Sequence, residues 1–209
     1  MTDGPHNQQK DTVMLTTSLN ALYHANFSAT NWVNIRKAKT GFPLDALFPV
    51  TDILDQHGLG IALEVLGYSC SVEGKALVRK FALDCAEHTL PVYEEIYSGS
   101  RSPRLAIQAA RGYAEGTVTQ EELMLALHDV RRAWSGACAF NECKTNAVSD
   151  AVYAVVCAVN AYADPGIFYT ALAVEYALSA TIATSTDHGE KEGAWQVDRL
   201  RELLTEVNE

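Results

Sequence analysis

Cys85 and His88 stand three residues apart in a stretch of helical spacing, so they share one helix face. A thiol beside an imidazole can make a thiolate nucleophile, and it is also half of a zinc site. The rest of the chain completes neither. Zinc needs two further ligands, and Cys138 and Cys143, five residues apart, fall on different faces of a helix. A nucleophile needs exposure and an oxyanion site, whereas buried cysteines usually act as small hydrophobes. Carboxylates come in local pairs, Asp52 with Asp55, Glu94 with Glu95 and Glu121 with Glu122. No histidine has a glutamate three residues before it, which excludes the Glu-x-x-His elements of a di-iron bundle. The pairs are expected on polar faces or near helix starts, where a negative charge complements the helix dipole. Gly58-Leu-Gly60 lacks the third glycine and the preceding strand of a dinucleotide fingerprint, and no phosphate loop or nucleophile elbow is present. No catalytic set, metal or cofactor is expected.

The elements that would position these groups read as helices. After residue 43 apolar residues recur at three and four, and no Asn-Gly or Asp-Gly hairpin signal separates apolar runs. The expected class is all-α: a multi-helix bundle with central alanine-rich helices and a smaller N-terminal helical extension. The segment 11–25 is ambiguous, with Thr12, Val13, Thr16 and Thr17 favouring a strand and Leu15, Leu19 and Leu22 a helix face. A helix over 44–57, interrupted at Pro49, would carry Leu47, Val50, Ile53 and Leu54 on one side, with Gly58 ending it. A short helix follows over 59–66. From Lys75 to about Tyr97 the spacing is steady, with Pro91 bending or dividing the run. Ser102 before Pro103 signals a helix start, Gly116 a stop, and Thr119 with Glu122 a capping box ahead of Leu123, Leu127, Val130 and Trp134.

Nineteen alanines lie between residues 106 and 183 against ten elsewhere, so the helices expected over 146–162 and 165–184 can pack closely and be buried on several sides. Asp164 would cap the second of these, with Pro165 as its first residue. A loop over 187–193 would lead to an exposed terminal helix with a narrow stripe of Val197, Leu200, Leu204 and Val207. Three parts are expected: an N-terminal extension over 1–42, a short helical subdomain over 43–74 and a bundle over 75–209.

Sixteen basic and 26 acidic residues give a formal charge of −10, and the sequence pI is about 5.0. That balance repels nucleic acid and membrane surfaces and speeds encounter with basic partners. The only basic cluster is Arg36, Lys37 and Lys39. An odd five cysteines and a polar start, MTDGPHNQQKDT, argue for a reducing, cytoplasmic setting. In the apolar stretch 165–186, Glu175 lies at the centre and would cost roughly 3 kcal/mol in a bilayer. A soluble protein with no membrane association is expected.

Between Cys85 and Leu123 the chain reads CAEHTLPVYEE, then SPRLAIQAARGYAEG, then TQEEL; TALAVEYALSA and WQVDRLRELL follow later. These stretches resemble the alanine-rich putative immunity protein family of bacterial polymorphic-toxin systems, phage-borne relatives included. The matching positions are Cys85, Glu87, Leu90, Pro91, Glu94, Pro103, Arg104, Ala106, Ile107, Ala109, Ala110 and Arg111. Coverage runs over 81–207, and the middle helices depart from the pattern in carrying more Cys, Tyr and Val. The resemblance implies a non-enzymatic inhibitor that binds and blocks a protein effector.

The residues suit this independently, since an acidic surface fits a basic target and no catalytic set competes. Arg104 and Arg111 are two turns apart and could pair with Glu87 or Glu94, a structural role shared with Cys85, Pro91 and Pro103. The expected partner surface is Asp52, Asp55, Glu94 and Glu95, with Glu202 and Glu206 on the last helix. The alternative is a phage-encoded counter-defence protein of anti-CRISPR type, turning its acidic face on a nucleic-acid-binding complex; a Cys/His enzyme ranks third. The stripe on the terminal helix could equally pair with a second copy, leaving a homodimer open.

Overall fold

A computed structural model describes residues 15–25, 27–69, 71–139, 145–164 and 167–206. Among them the chain is all-α apart from one two-residue antiparallel ladder, β1 (Thr16–Thr17) against β2 (Phe48–Pro49), with Thr16 opposite Pro49 and Thr17 opposite Phe48. The ambiguous N-terminal segment resolves into both readings. β1 leads into α1 (Leu19–His24), whose N-cap Ser18 accepts a hydrogen bond from the Ala21 amide at 3.1 Å. The residues before 15 lie outside the described part of the chain.

α2 (Ala29–Ala38) is tied to α4 (Leu59–Ser69) by Glu64, which accepts from the Ser28 amide at 2.9 Å and from Asn31 Nδ2 at 2.6 Å. α3 spans Val50–His57. The helix expected from residue 44 therefore starts later: Pro49 is its N-cap, and Leu47 is 68% exposed rather than on the buried face. A proline disfavours helical backbone in the residue before it, so the segment ahead of Pro49 stays extended and pairs with β1 instead. Gly58 turns the chain into α4 with φ of +83°, a conformation open to glycine at little cost.

α5 (Val72–Thr89) and α6 (Pro91–Glu94) divide at Pro91, as its missing amide requires. α7 (Ser102–Ala114) has Pro103 in its first turn, but its N-cap is Arg101 and no side chain caps it, so Ser102 is not the cap expected of it. α8 (Gln120–Ala139) does open on the capping box. The Thr119 amide donates to Glu122 at 2.8 Å and the Glu122 amide to Thr119 Oγ1 at 3.3 Å. Leu123, Leu127 and Val130 are buried behind it, and Trp134 is partly so.

α9 (Thr145–Ala163) and α10 (Ile167–Ile182) form the most extensive helix pair. They run antiparallel, since Ser179 near the end of α10 donates to Asp150 near the start of α9 at 2.7 Å. From Ala151 to Ala161 every α9 residue is buried except Tyr153, which is half-buried. Ala154, Ala158, Ala173, Ala177 and Ala180 are fully enclosed; their small side chains let the backbones approach. Pro165, expected to start α10, lies outside the described residues.

α11 runs unbroken over Thr186–Glu206, so the loop expected over 187–193 is helix. A Cβ at Gly189 would press on the Ile182 side chain and stand 3.2 Å from its Cα, so this glycine permits the close turn from α10 into α11. Ser185 Oγ caps the start by accepting from the His188 amide at 3.1 Å. The stripe expected on α11 packs against the core, with Val197 partly buried and Val207 outside the described residues, but it is broader than its apolar members. Leu200, Leu203 and Leu204 are buried, and so are the polar Glu192 and Gln196. Among the described residues no helix is long and apolar enough to cross a membrane.

Candidate functional site

α5 lies where α7 and α11 meet the bundle, and the charges on its surface organise a belt of ion pairs. Asp84, 9% exposed, accepts from Arg111 Nη2 at 2.8 Å on α7 and from Arg199 Nε at 2.9 Å on α11. One buried carboxylate thus joins three helices. Glu87, one turn on, accepts from Arg111 Nη2 at 2.7 Å and lies 3.5 Å from Arg104 Nη1. Arg104 holds Glu94 through two parallel bonds, Nε to Oε1 at 2.8 Å and Nη2 to Oε2 at 2.7 Å, the fork geometry a guanidinium offers a carboxylate. The two arginines expected to pair with Glu87 and Glu94 do so, and the i, i+7 spacing that puts them on one face of α7 is the cause.

The electrostatic consequences follow from geometry. Arg104's hydrogen bonds hold Glu94 below the usual carboxylate range. Burial alone would lower Arg111, but Asp84 and Glu87 outweigh it and raise the guanidinium further. Arg199 is likewise raised against its burial by Glu202 and Asp84.

His88 and Cys85 do not form a thiolate–base pair. Cys85 is fully buried, and burial, then the nearby Glu192 and Asp84 carboxylates, push its thiol well above the ordinary range. His88 is engaged by one of those carboxylates instead. Its Nδ1 lies 2.6 Å from Glu192 Oε2, and its ring stacks on Trp195 with centroids 3.8 Å apart and planes 5° from parallel. Glu192, 3% exposed, also accepts from Gln196 Nε2 at 3.0 Å. Cys138 is exposed on α8, and Cys143 lies outside the described residues. Among the described residues no group of three or more His, Cys, Asp or Glu could hold a metal.

The six carboxylates expected to meet a partner divide into two places. Glu94 and Glu95 sit at the end of α6. Of the other four, Asp55, Glu202 and Glu206 gather where α3 meets the C-terminal end of α11, with Asp52 one turn from Asp55 on α3. Five of the six already have an internal cation. Asp52 pairs with Lys39 at 2.8 Å, Asp55 with Arg201 at 2.9 Å, Glu94 with Arg104, Glu202 with Arg199 at 2.9 Å, and Glu206 with Lys80 at 2.7 Å. Glu95 is exposed and has no ion pair among the described residues. Around Arg201 the surface is still carboxylate-rich, because Asp198 joins it at 3.0 Å and is 70% exposed.

Asp84, Glu192, Trp195 and Arg199 escaped the sequence reading. The signal available was that Glu192, Gln196 and Arg199 continue the three-and-four spacing of Leu200, Leu203 and Leu204. A stripe that mixes polar and apolar residues reads as surface when only apolar residues are counted.

A family model, the Imm-5 like putative immunity protein, matches residues 69–203, more than half of the chain and the whole of this ion-pair belt. The chain belongs to the Imm-5 like putative immunity protein family. Comparison with curated proteins and with solved structures gave no match. The immunity-like match begins at the last residue of α4 and takes in α5 through most of α11, so Arg104, Arg111, Cys85, Glu87, Pro91 and Pro103 all fall inside it. Asp52 and Asp55 fall outside it, on α3, and reach it through the Asp55–Arg201 pair.

Proposed function

We propose that this immunity-family protein is a non-enzymatic inhibitor that binds a basic protein effector and blocks it, acting in the cytoplasm. The family match over residues 69–203 carries the reading. The surface we assign to the contact is the junction of α3 with the end of α11, where Asp55, Asp198, Glu202 and Glu206 crowd around Arg199 and Arg201 and Asp52 lies one turn along α3. Glu94 and Glu95 on α6 form a second, smaller acidic spot. Exposed intramolecular pairs of this kind are worth about 1 kcal/mol or less, so an incoming arginine or lysine can exchange with the internal cation at little cost. Such a surface contributes chiefly to the rate of encounter and to partner choice.

The test is co-expression with the product of the neighbouring gene, followed by binding kinetics. The effector should form a complex, its toxicity should be suppressed, and its association rate should fall with salt. Replacing Asp198 and Glu202 together by lysine should slow association by about tenfold while leaving the melting temperature nearly unchanged. Equal association of the charge-reversed chain would refute the assigned surface. Failure to bind or to protect against any candidate effector would refute the inhibitor reading itself.

A further inference from the structure

On the flank of the belt, away from the acid-rich junction, the first half of α5 and the C-terminal ends of α7, α9 and α11 enclose a groove of about 960 Å³. Its floor is apolar, built from Leu77 and Leu83 of α5 and Leu203 of α11. Its polar groups are unusual for so acidic a chain. The Arg79 guanidinium stands over the Tyr162 ring, 5.6 Å from the centroid, and has no carboxylate partner among the described residues. Arg111 of α7 lines the same groove and uses only its Nη2 in the belt, leaving other donors of its fork. The hydroxyls of Tyr162 and Tyr113 have no hydrogen-bond partner among the described residues.

The nearby carboxylates do not fill this gap. Glu206 is held by Lys80 and Arg199, and Glu73 turns back to hydrogen-bond Ser71. Glu115 is exposed at the rim. Cations beside the last turns of three helices complement the helix dipoles. That accounts for a positive charge here, but not for a guanidinium held over a tyrosine ring with no carboxylate beside it among the described residues.

We propose that this groove is a binding site for a small amphipathic oxyanion, a carboxylate or phosphate carried on a flat apolar body. The anion sits between Arg79 and the hydroxyl of Tyr162, with Arg111 behind it, and the apolar body lies on Leu77 and Leu203. A mostly apolar concavity of this volume with a few convergent donors has the make-up of a small-molecule site. Tyr162 lies in a desolvated setting, its hydroxyl pushed up to about 12 chiefly by burial, so it remains a neutral donor throughout the physiological range. The groove touches the effector surface only at Glu206, which lines both; the α3 carboxylates, Asp198 and Glu202 do not line it.

The test is a titration of the ¹⁵N-labelled full chain with phenylacetate, phenyl phosphate and the neutral isostere phenylacetamide at millimolar concentrations. The two anions should shift amides of Leu77, Tyr113, Tyr162 and Leu203, and the amide probe should bind much more weakly. Arg79→Gln should weaken the anions by about tenfold, the loss of one charge-assisted pair. Tyr162→Phe, which leaves every cation in place, should weaken them less, and serves as the readout should Arg79→Gln fail to fold. Equal binding of phenylacetate and phenylacetamide would overturn the proposal. So would shifts that map away from the groove, or unchanged anion affinity in the folded variants.

Discussion

Replacing Asp84 by asparagine removes one charge from the point where α5, α7 and α11 meet, and the structure sets the size of the effect. Two charge-assisted hydrogen bonds end on this carboxylate, from Arg111 at 2.8 Å and Arg199 at 2.9 Å. Bonds of that type contribute about 1.5–3 kcal/mol each when buried. The arginine side chains are 36% and 22% exposed, and each keeps another carboxylate, Glu87 for Arg111 and Glu202 with Glu206 for Arg199. The asparagine oxygen can still accept one of the two bonds. Halving the sum on those grounds leaves about 2 kcal/mol, which for a chain of this length lowers the melting temperature by roughly 4–8 °C.

The assay is urea unfolding with thermal unfolding followed by circular dichroism, on wild type, Asp84→Asn, Arg199→Gln and the double variant. A coupling of about 1 kcal/mol between the two sites is expected, because they touch. Asp198→Asn, which removes a carboxylate from the exposed pair with Arg201, is the control and should cost less than about 1 kcal/mol. An Asp84→Asn loss no larger than that of Asp198→Asn would refute the view that the belt holds the three helices together.

Because Arg104 lowers the folded-state value of Glu94 below its ordinary 4.5, the pair stabilises the fold above that pH and loses its contribution as pH falls through the folded value. The stability difference between wild type and Glu94→Gln should therefore be greatest near neutrality and vanish in acid; a difference independent of pH would refute the pairing. Ala177 is fully buried in the helix that packs on α9, so Ala177→Leu should destabilise by more than about 2 kcal/mol, whereas the exposed Ala114→Leu should change stability by less than about 0.5 kcal/mol in chemical denaturation. Cys85 and Cys157 are buried with raised thiols, the latter to about 12, and Cys138 is exposed. Alkylation of the native protein at pH 8 followed by peptide mass spectrometry should label Cys138 and spare the other two; rapid labelling of Cys85 would reopen a reactive role for it.

Much of this architecture was legible in the residues because the signals are local. The capping box at Thr119 and Glu122, the break at Pro91 and the stop at Gly116 each act within a turn of backbone. The alanine-rich run over α9 and α10 announces close packing by composition alone. Arg104 and Arg111 could be matched to Glu87 and Glu94 because a seven-residue spacing on one helix faces the same spacing across the break at Pro91. Where local signals conflicted, only packing settled the outcome: Gly189 and Gly193 suggest a loop in isolation, yet both lie within α11, and Gly189 is there because Ile182 approaches too closely for a side chain.

The sequence by itself determined the all-α class, most helix limits, the acidic balance and the family motif, since each depends on residue type and short-range spacing. The tertiary structure alone decided what the charges do. Asp84 meets Arg199 across 115 positions, and His88 meets Glu192 across 104. No periodicity encodes such encounters, because they follow from how α11 folds back along α5. That same return supplies Asp55 and Glu206 with cations of their own, Arg201 and Lys80, and brings Glu192 to His88.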